Sequence, residues 1–489
     1  MTATEVPTAH ELREEIRDWR RGRAELRWGE VLSDAYIALF CVAMVAAMGG
    51  NVVLSLRRLA DDSCVGGCAE VRSAAPWLVV LAVALLALGL ARLLGPVFSP
   101  PAANGWLLST PVDRGALLRP GWSRTCALTL AGAGLALVAP AMLSGFDLPS
   151  GAVFVTAGSA AAVACVGLAA LSQIHERRTA RRLTWVLTAA LWSALSLSAT
   201  QGLGGLPRVP AALGPALALL PVAGAVVLVL RTRTAVGGLS RRVLGYTENL
   251  SPSLSGALSS VDLGLMYDVL LARRWGRGAH VHTRTGGPLG WWALAHRDLL
   301  RAGRTPQPYV VLAGLVLVPY AAAEAGAGRA VVLVTTLVGL LGGPAACSGL
   351  RVVVRSTSLA RMLPMSRSSL LLAHLVVPGT ALLLVALATT WTLLPTHPPG
   401  EAVTVAAACG LASVAATVRW VTGKPPNYAA PMVSSPAGAV PTGVFASVAR
   451  GFDVWAFTAL PLMFGPIGVV VSITISLAVI SYLVSDSAG

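Results

Sequence analysis

Long hydrophobic runs separated by short polar segments dominate this chain. A helix needs about 20 apolar residues to cross the hydrocarbon core of a bilayer, and the chain carries about twelve runs of this length. The last two share one apolar stretch broken by Pro461, Gly465 and Pro466, so they form either one kinked helix or a short re-entrant pair. The predicted spans are 34–57, 76–98, 125–144, 151–173, 185–205, 210–230, 308–325, 330–350, 369–394, 402–418, 453–466 and 467–485.

The composition indicates the same class of protein. Of the 489 residues, 55% are hydrophobic and only 12% are charged, whereas a soluble domain carries about 25% charged residues. The net charge of +15 is typical of nucleic-acid binding, but here the basic residues lie in short segments between apolar runs. We therefore predict an all-α polytopic membrane protein that binds membrane lipid and no nucleic acid.

The distribution of basic residues predicts the orientation. If the spans alternate from a cytoplasmic N-terminus, 32 of the 37 basic residues lie in cytoplasmic segments and 5 lie outside. Cytoplasmic loops of membrane proteins are enriched in this way, so both termini are predicted to be cytoplasmic. Lys424 is the single lysine in a chain rich in Arg, Ala and Gly, which is typical of a GC-rich bacterial genome. The predicted location is the inner or plasma membrane of a bacterial cell.

The chain contains a short internal repeat. Residues 111–118 read PVDRGALL and residues 364–371 read PMSRSSLL, and each segment lies between the second and third predicted span of its half. A charged, Trp-containing segment also precedes the first span of each half. These features favour two six-span halves with amphipathic connecting helices, at 1–230 and 291–489.

The segment 231–290 between the halves is predicted to be a cytoplasmic linker that contains an amphipathic helix. Apolar residues recur at helical spacing from Ser251 to Arg274, and Ser251-Pro252 is a typical helix start. The apolar stripe of this helix could lie on the membrane, pack under the bundle or bind a partner. The later segment 424–442 is rich in Pro, Ser and Ala, and its composition is compatible with an ordered loop or an unstructured one.

The cytoplasmic element Pro-Val/Met-x-Arg-x-x-Leu-Leu resembles the coupling loop of type-2 ABC export permeases. These are the membrane subunits of multidrug and polyketide-antibiotic exporters of actinobacteria. The resemblance implies a fused permease that moves an amphipathic or hydrophobic substrate with energy from a separate ATPase. The long central segment and the lack of a large external domain depart from the family pattern. The residues that the resemblance assigns to ATPase coupling are Pro111, Asp113, Arg114, Leu117, Pro364, Ser366, Arg367 and Leu370.

The chain has no P-loop sequence, since its single lysine in GKPPNY at 423–428 follows no phosphate-binding glycine pattern. The resemblance therefore implies that ATP and Mg²⁺ bind to the partner, an ABC ATPase with a pair of nucleotide-binding domains. The chain itself is expected to be no enzyme and to carry no cofactor.

Two other classes of function stay open. A secondary transporter usually places carboxylates or histidines within its spans, but the spans here carry no central Asp, Glu or Lys, and His374 lies near an inner end. A non-transporting membrane scaffold is the other alternative. The pair His280/His282 has spacing suitable for a metal, but further ligands are missing nearby, so a solvated loop is the favoured interpretation.

Cysteine placement adds one candidate bond. Cys64 and Cys68 both lie in the first predicted external loop, where an oxidising exterior permits a disulfide. The other cysteines fall inside apolar spans, where cysteine behaves as a small hydrophobic residue.

The disulfide can be tested by thiol labelling of intact cells. Cys64 and Cys68 should resist a membrane-impermeant maleimide until a reductant is added, because a disulfide sulfur does not alkylate. Immediate labelling of both residues in unreduced cells would show that the bond is absent.

Overall fold

The computed structural model describes residues 68–95, 97, 112–144, 146–175, 179–200, 214–239, 286–423, 432–435, 438–441 and 450–486, with isolated positions between 11 and 58. The first set of helices comprises α1 (Cys68–Leu94), α2 (Arg114–Leu143), α3 (Leu148–Ile174), α4 (Thr179–Ala199) and α5 (Gly214–Ala235), followed by a 3₁₀ turn at Val236–Gly238. A second set begins with α6 (Trp291–Arg304), α7 (Gln307–Gly314), α8 (Leu317–Glu324), a 3₁₀ turn at Gly328–Ala330, α9 (Val331–Ala346), α10 (Ser348–Arg355) and α11 (Thr357–Met362). It continues with α12 (Arg367–Ala388), α13 (Thr390–Leu393), α14 (Pro399–Thr422), β1 (Met432–Ser435), β2 (Gly438–Pro441), α15 (Phe452–Ala459), a 3₁₀ segment at Leu460–Phe464 and α16 (Gly465–Asp486).

Within the described residues, nine stretches are long and apolar enough to cross a membrane. This confirms a helical, multi-pass membrane protein, because only helices that satisfy their own backbone can cross the bilayer in such a chain. The nine stretches are Ala74–Arg92, Arg114–Leu143, Leu148–Ile174, Leu219–Gly238, Gln307–Glu324, Gly328–Ala346, Arg367–Ala388, Pro399–Thr422 and Phe452–Ser485.

Several helices differ from the predicted spans. Helix α2 begins at Arg114 and not near 125, and its 30 residues extend about 45 Å, so one end projects beyond a hydrocarbon core of about 30 Å. Helix α4, at the fifth predicted span, is 21 residues long but is not among the nine stretches. Only isolated positions of the predicted span 34–57 are among the described residues. The total of about twelve spans therefore stays a prediction.

The last apolar stretch is a helical hairpin. The Ser472 hydroxyl donates to the Thr458 carbonyl oxygen at 2.7 Å, although the two residues are 14 positions apart. In one straight helix they would be about 21 Å apart, so the chain must reverse between them. Gly465 lies at the reversal with a φ of 77°, a conformation that favours glycine. The two spans predicted in this stretch are separate helices, α15 and α16, and the alternative of one kinked helix is excluded.

Helix α3 is the centre of the first set. It packs against α1, α2 and α5, while α4 packs mainly against α1. Its buried face consists mostly of alanine, glycine and serine between Ala157 and Ala170, so neighbouring backbones approach closely.

Helix α14 has the same central place in the second set. It packs against α9, α12, α15 and α16. Gly339 and Gly343 of α9, four residues apart, face Ser413 and Thr417 of α14, which are also four apart. A Cβ atom on either glycine would overlap the facing side chain, so this contact requires residues without a side chain.

The two sets meet where α8 packs against α4. Gly314 at the end of α7 faces the Trp192 indole of α4, and a side chain at 314 would overlap that ring. The glycine therefore allows α7 of the second set to lie against α4 of the first.

A two-stranded hairpin departs from the purely α-helical prediction. Strands β1 and β2 pair antiparallel with Met432 opposite Pro441 and Ser435 opposite Gly438. This part of the 424–442 segment is thus ordered as strands. Pro436 and Pro441 disfavour a helix here, since proline has no amide hydrogen to donate and clashes with the preceding turn.

The close contact between α9 and α14 can be tested with Gly343→Ala. The new methyl group overlaps Thr417, so we expect a loss of about 1–3 kcal/mol of stability despite the better helix propensity of alanine. Thermal unfolding of the purified protein in detergent measures the effect. The matched control is Gly224→Ala in α5, where nothing lies within 4 Å and alanine should be neutral or stabilising. Equal melting temperatures for both variants would contradict the packing.

Candidate functional site

The first predicted coupling element lies at the start of α2. Asp113 precedes the helix, and its carboxylate accepts a hydrogen bond of 2.8 Å from the Gly115 amide, which caps the helix. Arg114 is the first helical residue, and Leu117 packs against the core of the first set. Pro111 lies outside the described residues. Most of this element is therefore the first turn of a helix and not a loop.

The second predicted coupling element has the same local structure at the start of α12. Ser366 precedes the helix, and its hydroxyl accepts a hydrogen bond of 3.3 Å from the Ser369 amide. Arg367 is the first helical residue, Leu370 is fully buried, and Pro364 is exposed in the turn before the cap. The two elements therefore share a cap, an arginine at the first helical position and inward leucines.

The elements are held by different neighbours. In the first set, the fully buried Trp122 of α2 donates through its indole nitrogen to the Val229 carbonyl oxygen of α5 at 3.3 Å. Gly115 and Gly237 lie so close that a Cβ atom on Gly237 would be 3.3 Å from the Gly115 backbone. The first element is thus packed against the end of α5.

The second element is packed against the amphipathic helix α6. The Trp291 indole nitrogen of α6 donates to the Ser369 carbonyl oxygen of α12 at 2.9 Å. Two turns further along α6, the Asp298 carboxylate lies 2.5 Å from the His374 Nδ1 atom of α12. These contacts attach a helix that lies outside the nine apolar stretches to the base of a membrane span.

Asp298 is the centre of a buried polar cluster. Its side chain and that of His374 are each 7% exposed, and the Arg301 guanidinium lies 3.1 Å from the carboxylate. Gly349 of α10 completes the enclosure, because a Cβ atom there would overlap the Asp298 and Arg301 side chains. A buried carboxylate requires partners of this kind, since desolvation of an unpaired charge is costly. The cluster thus joins α6, α10 and α12.

A small pocket opens beside this cluster, with about 270 Å³ of empty space including its mouth. Tyr309 lines it and donates its hydroxyl to the Ala346 carbonyl oxygen at 3.2 Å. Most of that space is open solvent, whereas drug-sized ligands need about 300–1,000 Å³ of cavity, so the pocket is too small for a transported molecule.

The segment between α10 and α12 has one exposed face, and its other face packs against the core of the second set. Ser356 caps the short helix α11 by accepting from the Leu359 amide at 3.4 Å. Leu359 is 39% exposed and Met362 is 81% exposed, and Arg361 between them is also exposed. We name residues 356–366 the projecting segment. This face therefore presents two apolar side chains and one cation outside the core of the bundle.

Sequence reasoning did not find the Asp298 cluster. His374 was recognised only as a residue near the end of a span, and Asp298 was not singled out. The available signal was a lone acidic residue on the same helical face as Trp291 and Leu294. Only the packing of α6 on α12 shows that Asp298 and His374, 76 residues apart, are in contact.

Several predicted features lie outside the described residues. They are Cys64 and the Cys68 side chain, the stripe from Ser251 to Arg274, and the pair His280/His282. The disulfide and the linker helix therefore stay predictions. In the part of the chain that the structure describes, no three His, Cys, Asp or Glu residues are grouped so that they could hold a metal ion.

Comparison with known proteins identifies one family. The family of unknown function DUF6297 matches residues 68–431, which is most of the chain, so this protein belongs to that family. The match covers both coupling elements and the Asp298 cluster. No curated protein matches the chain.

Proposed function

We propose that this DUF6297 member is the membrane-spanning permease subunit of an ABC-type exporter. It would move an amphipathic or hydrophobic substrate across a bacterial cell membrane. A separate ABC ATPase, with a pair of nucleotide-binding domains that bind ATP and Mg²⁺, would supply the energy. The chain would bind membrane lipid and this ATPase.

The observation that carries the proposal is the matched packing of the two helix sets. If α1, α2, α3, α4 and α5 are paired in order with α9, α12, α14, α15 and α16, every packed pair in the first set has a packed counterpart in the second. A duplicated and fused unit accounts for such a match. Under this proposal the halves are 1–230 and 291–489, joined by the segment 231–290.

The coupling elements support an ATPase partner. The first element lies at the start of α2 and the second at the start of α12, which are paired in the matched packing. Each contains a capping residue followed by an arginine, Arg114 or Arg367. With the cytoplasmic orientation predicted from the basic residues, both elements face the compartment that contains ATP. Two matched contact sites on one chain fit the two nucleotide-binding domains of an ABC ATPase.

The proposed mechanism is alternating access. Closure of the ATPase pair would push on the segments 100–120 and 352–370, and the two halves would rock against each other. The contact between α4 and α8, with Gly314 against Trp192, is the described surface on which the halves would move. The inner ends of α2 and α12 would transmit the push, because a helix is stiff along its axis.

The buried Asp298–His374 pair favours a second candidate, a proton-coupled transporter. Buried ionisable residues near spans often serve as proton relays. The pair lies at the base of α12, however, and joins a helix outside the nine apolar stretches, which suits a mechanical role better.

A partnership test separates these candidates. Purified alone, the chain should hydrolyse no ATP, because it has no P-loop. Co-expressed with its cognate ABC ATPase, the chain should co-purify with that subunit and change its turnover. Appreciable hydrolysis by the isolated chain, or transport that continues with a hydrolysis-deficient ATPase, would contradict the exporter assignment.

The coupling role of the two arginines is tested by the double variant Arg114→Glu, Arg367→Glu. The variant should still insert but should lose ATPase association or stimulation, because an arginine at a subunit interface pairs with carboxylates and a glutamate repels them. Pull-down and hydrolysis assays in detergent measure the change.

Two controls accompany this double variant. The first is the conservative double variant Arg114→Lys, Arg367→Lys, which separates simple positive-inside anchoring from specific pairing. The second is Arg329→Glu, between α8 and α9 at the predicted outer side. A glutamate double variant that inserts, binds and stimulates like the parent would refute the coupling role.

A further inference from the structure

The projecting segment is bounded by two helices that meet at one carboxylate. Helix α10 ends at Arg355 immediately before the segment, and α12 begins at Arg367 immediately after it. Asp298 of α6 contacts both helices. It bonds to His374 of α12, and it fills the space that Gly349 of α10 leaves open. A single buried side chain thus touches the supports at both ends of the segment.

We propose that Asp298 is a positioning residue that holds the projecting segment, residues 356–366, in the geometry that the partner ATPase contacts. This inference rests on the proposed function and deepens it. Asp298 does not contact the partner in this scheme. It acts through α10 and α12, whose relative position determines where Leu359 and Met362 are presented.

Helix α6 is attached to α12 at two points, which together fix its orientation. Trp291 bonds to the Ser369 carbonyl oxygen, and Asp298 bonds to His374. The two α6 residues are seven positions, or about 10 Å, apart along the helix. Helix α12 is also packed against α9, α10 and α14, so these two contacts fix how α6 and its buried carboxylate lie against α10 and α12. Loss of the Asp298 contact should therefore loosen α10 and the base of α12 without detaching α6.

The chemistry of the contact favours a directional hydrogen bond over simple packing. A carboxylate and an imidazole that are each 7% exposed interact more strongly than the same groups in water. Arg301, one turn further along α6 and 3.1 Å away, offsets the buried negative charge. Because Gly349 has no side chain, α10 lies directly against this carboxylate.

The first coupling element has no residue equivalent to His374, so the contact between Asp298 and His374 belongs to the second half. Counted from the first helical arginine, His374 is seven residues after Arg367, and the residue seven after Arg114 is Gly121. Glycine has no side chain to receive such a bond. The two coupling elements are therefore built differently, and changes at Asp298 should affect only the second one.

Hydrogen–deuterium exchange of the full chain in detergent tests the inference without the partner. We compare the parent with Asp298→Asn, His374→Leu and His374→Asn. Asparagine can place its amide nitrogen near the position of His Nδ1 and keep the donor, whereas leucine cannot. The matched control is Arg419→Gln, which removes the 3.2 Å ion pair between Arg419 and Asp453 far along the chain from the projecting segment.

We expect amides of residues 348–374 to exchange about tenfold faster in Asp298→Asn and His374→Leu, the size expected for loss of one charge-assisted hydrogen bond. His374→Asn and Arg419→Gln should exchange like the parent in this region. Amides of α14 should be unchanged in the three variants at Asp298 and His374, whereas Arg419→Gln lies within α14 and serves as the control only for residues 348–374. If Asp298→Asn fails to accumulate, the two His374 variants decide the question.

Unchanged exchange at 348–374 in Asp298→Asn and His374→Leu would overturn the inference. A uniform rise that includes α14 would also overturn it, because that pattern indicates only lower global stability. With the partner present, the same two variants should lose about tenfold of ATPase stimulation while His374→Asn retains it. If the exchange changes are local but the parent chain binds no ATPase, the proposed function is rejected. Asp298 is then still the residue that orders the segment.

Discussion

Close approach of helices through small side chains is the constraint on which the rest of this structure depends. Inside a bilayer the hydrophobic effect does not favour helix–helix contact over helix–lipid contact, so close packing must hold the bundle together. Helices α3 and α14 meet this requirement with buried alanine, glycine and serine along most of their length. Where Gly339 and Gly343 face Ser413 and Thr417, even one added methyl group would overlap. Helices α1, α2 and α5 pack around α3, and α9, α12, α15 and α16 pack around α14.

The apolar surroundings also determine how polar side chains find hydrogen-bond partners along the chain. Within the apolar stretches, hydroxyl side chains such as Thr335 and Ser413 bond to carbonyl oxygens one turn earlier in their own helix, so they remain satisfied without a partner. Ionised groups cannot be satisfied in this way. Asp298 is buried only where an imidazole and a guanidinium reach it, and the Arg419–Asp453 pair remains about one third exposed. In the part of the chain that the structure describes, buried charge is thereby confined to the place where α6, α10 and α12 converge.

Sequence reasoning worked best where local chemistry decides structure. Apolar length located the helical stretches. The paired motifs at 111–118 and 364–371 were predicted as loops, but most of each is a capped helix start. It worked poorly at boundaries, because α2 continues through polar residues from Arg114 that hydropathy assigns to a loop. Hydropathy alone also left the stretch around Gly465 ambiguous, and the Ser472–Thr458 bond resolves it as a hairpin. The strands at 432–441 had no strong pattern, since they are short and bounded by proline.

The sequence by itself determined that this is a helical membrane protein, because burial in lipid depends on residue type. It also contained the repeated motif and a charge asymmetry that predicts the orientation. It could not determine which distant helices pack together. The contact between α4 and α8, the matched neighbours of α3 and α14, and the joint between Asp298 and His374 were decided only by tertiary structure. The physical reason is that apolar helices in lipid have nearly equivalent surfaces, so specificity comes from a few close contacts between residues far apart in the chain.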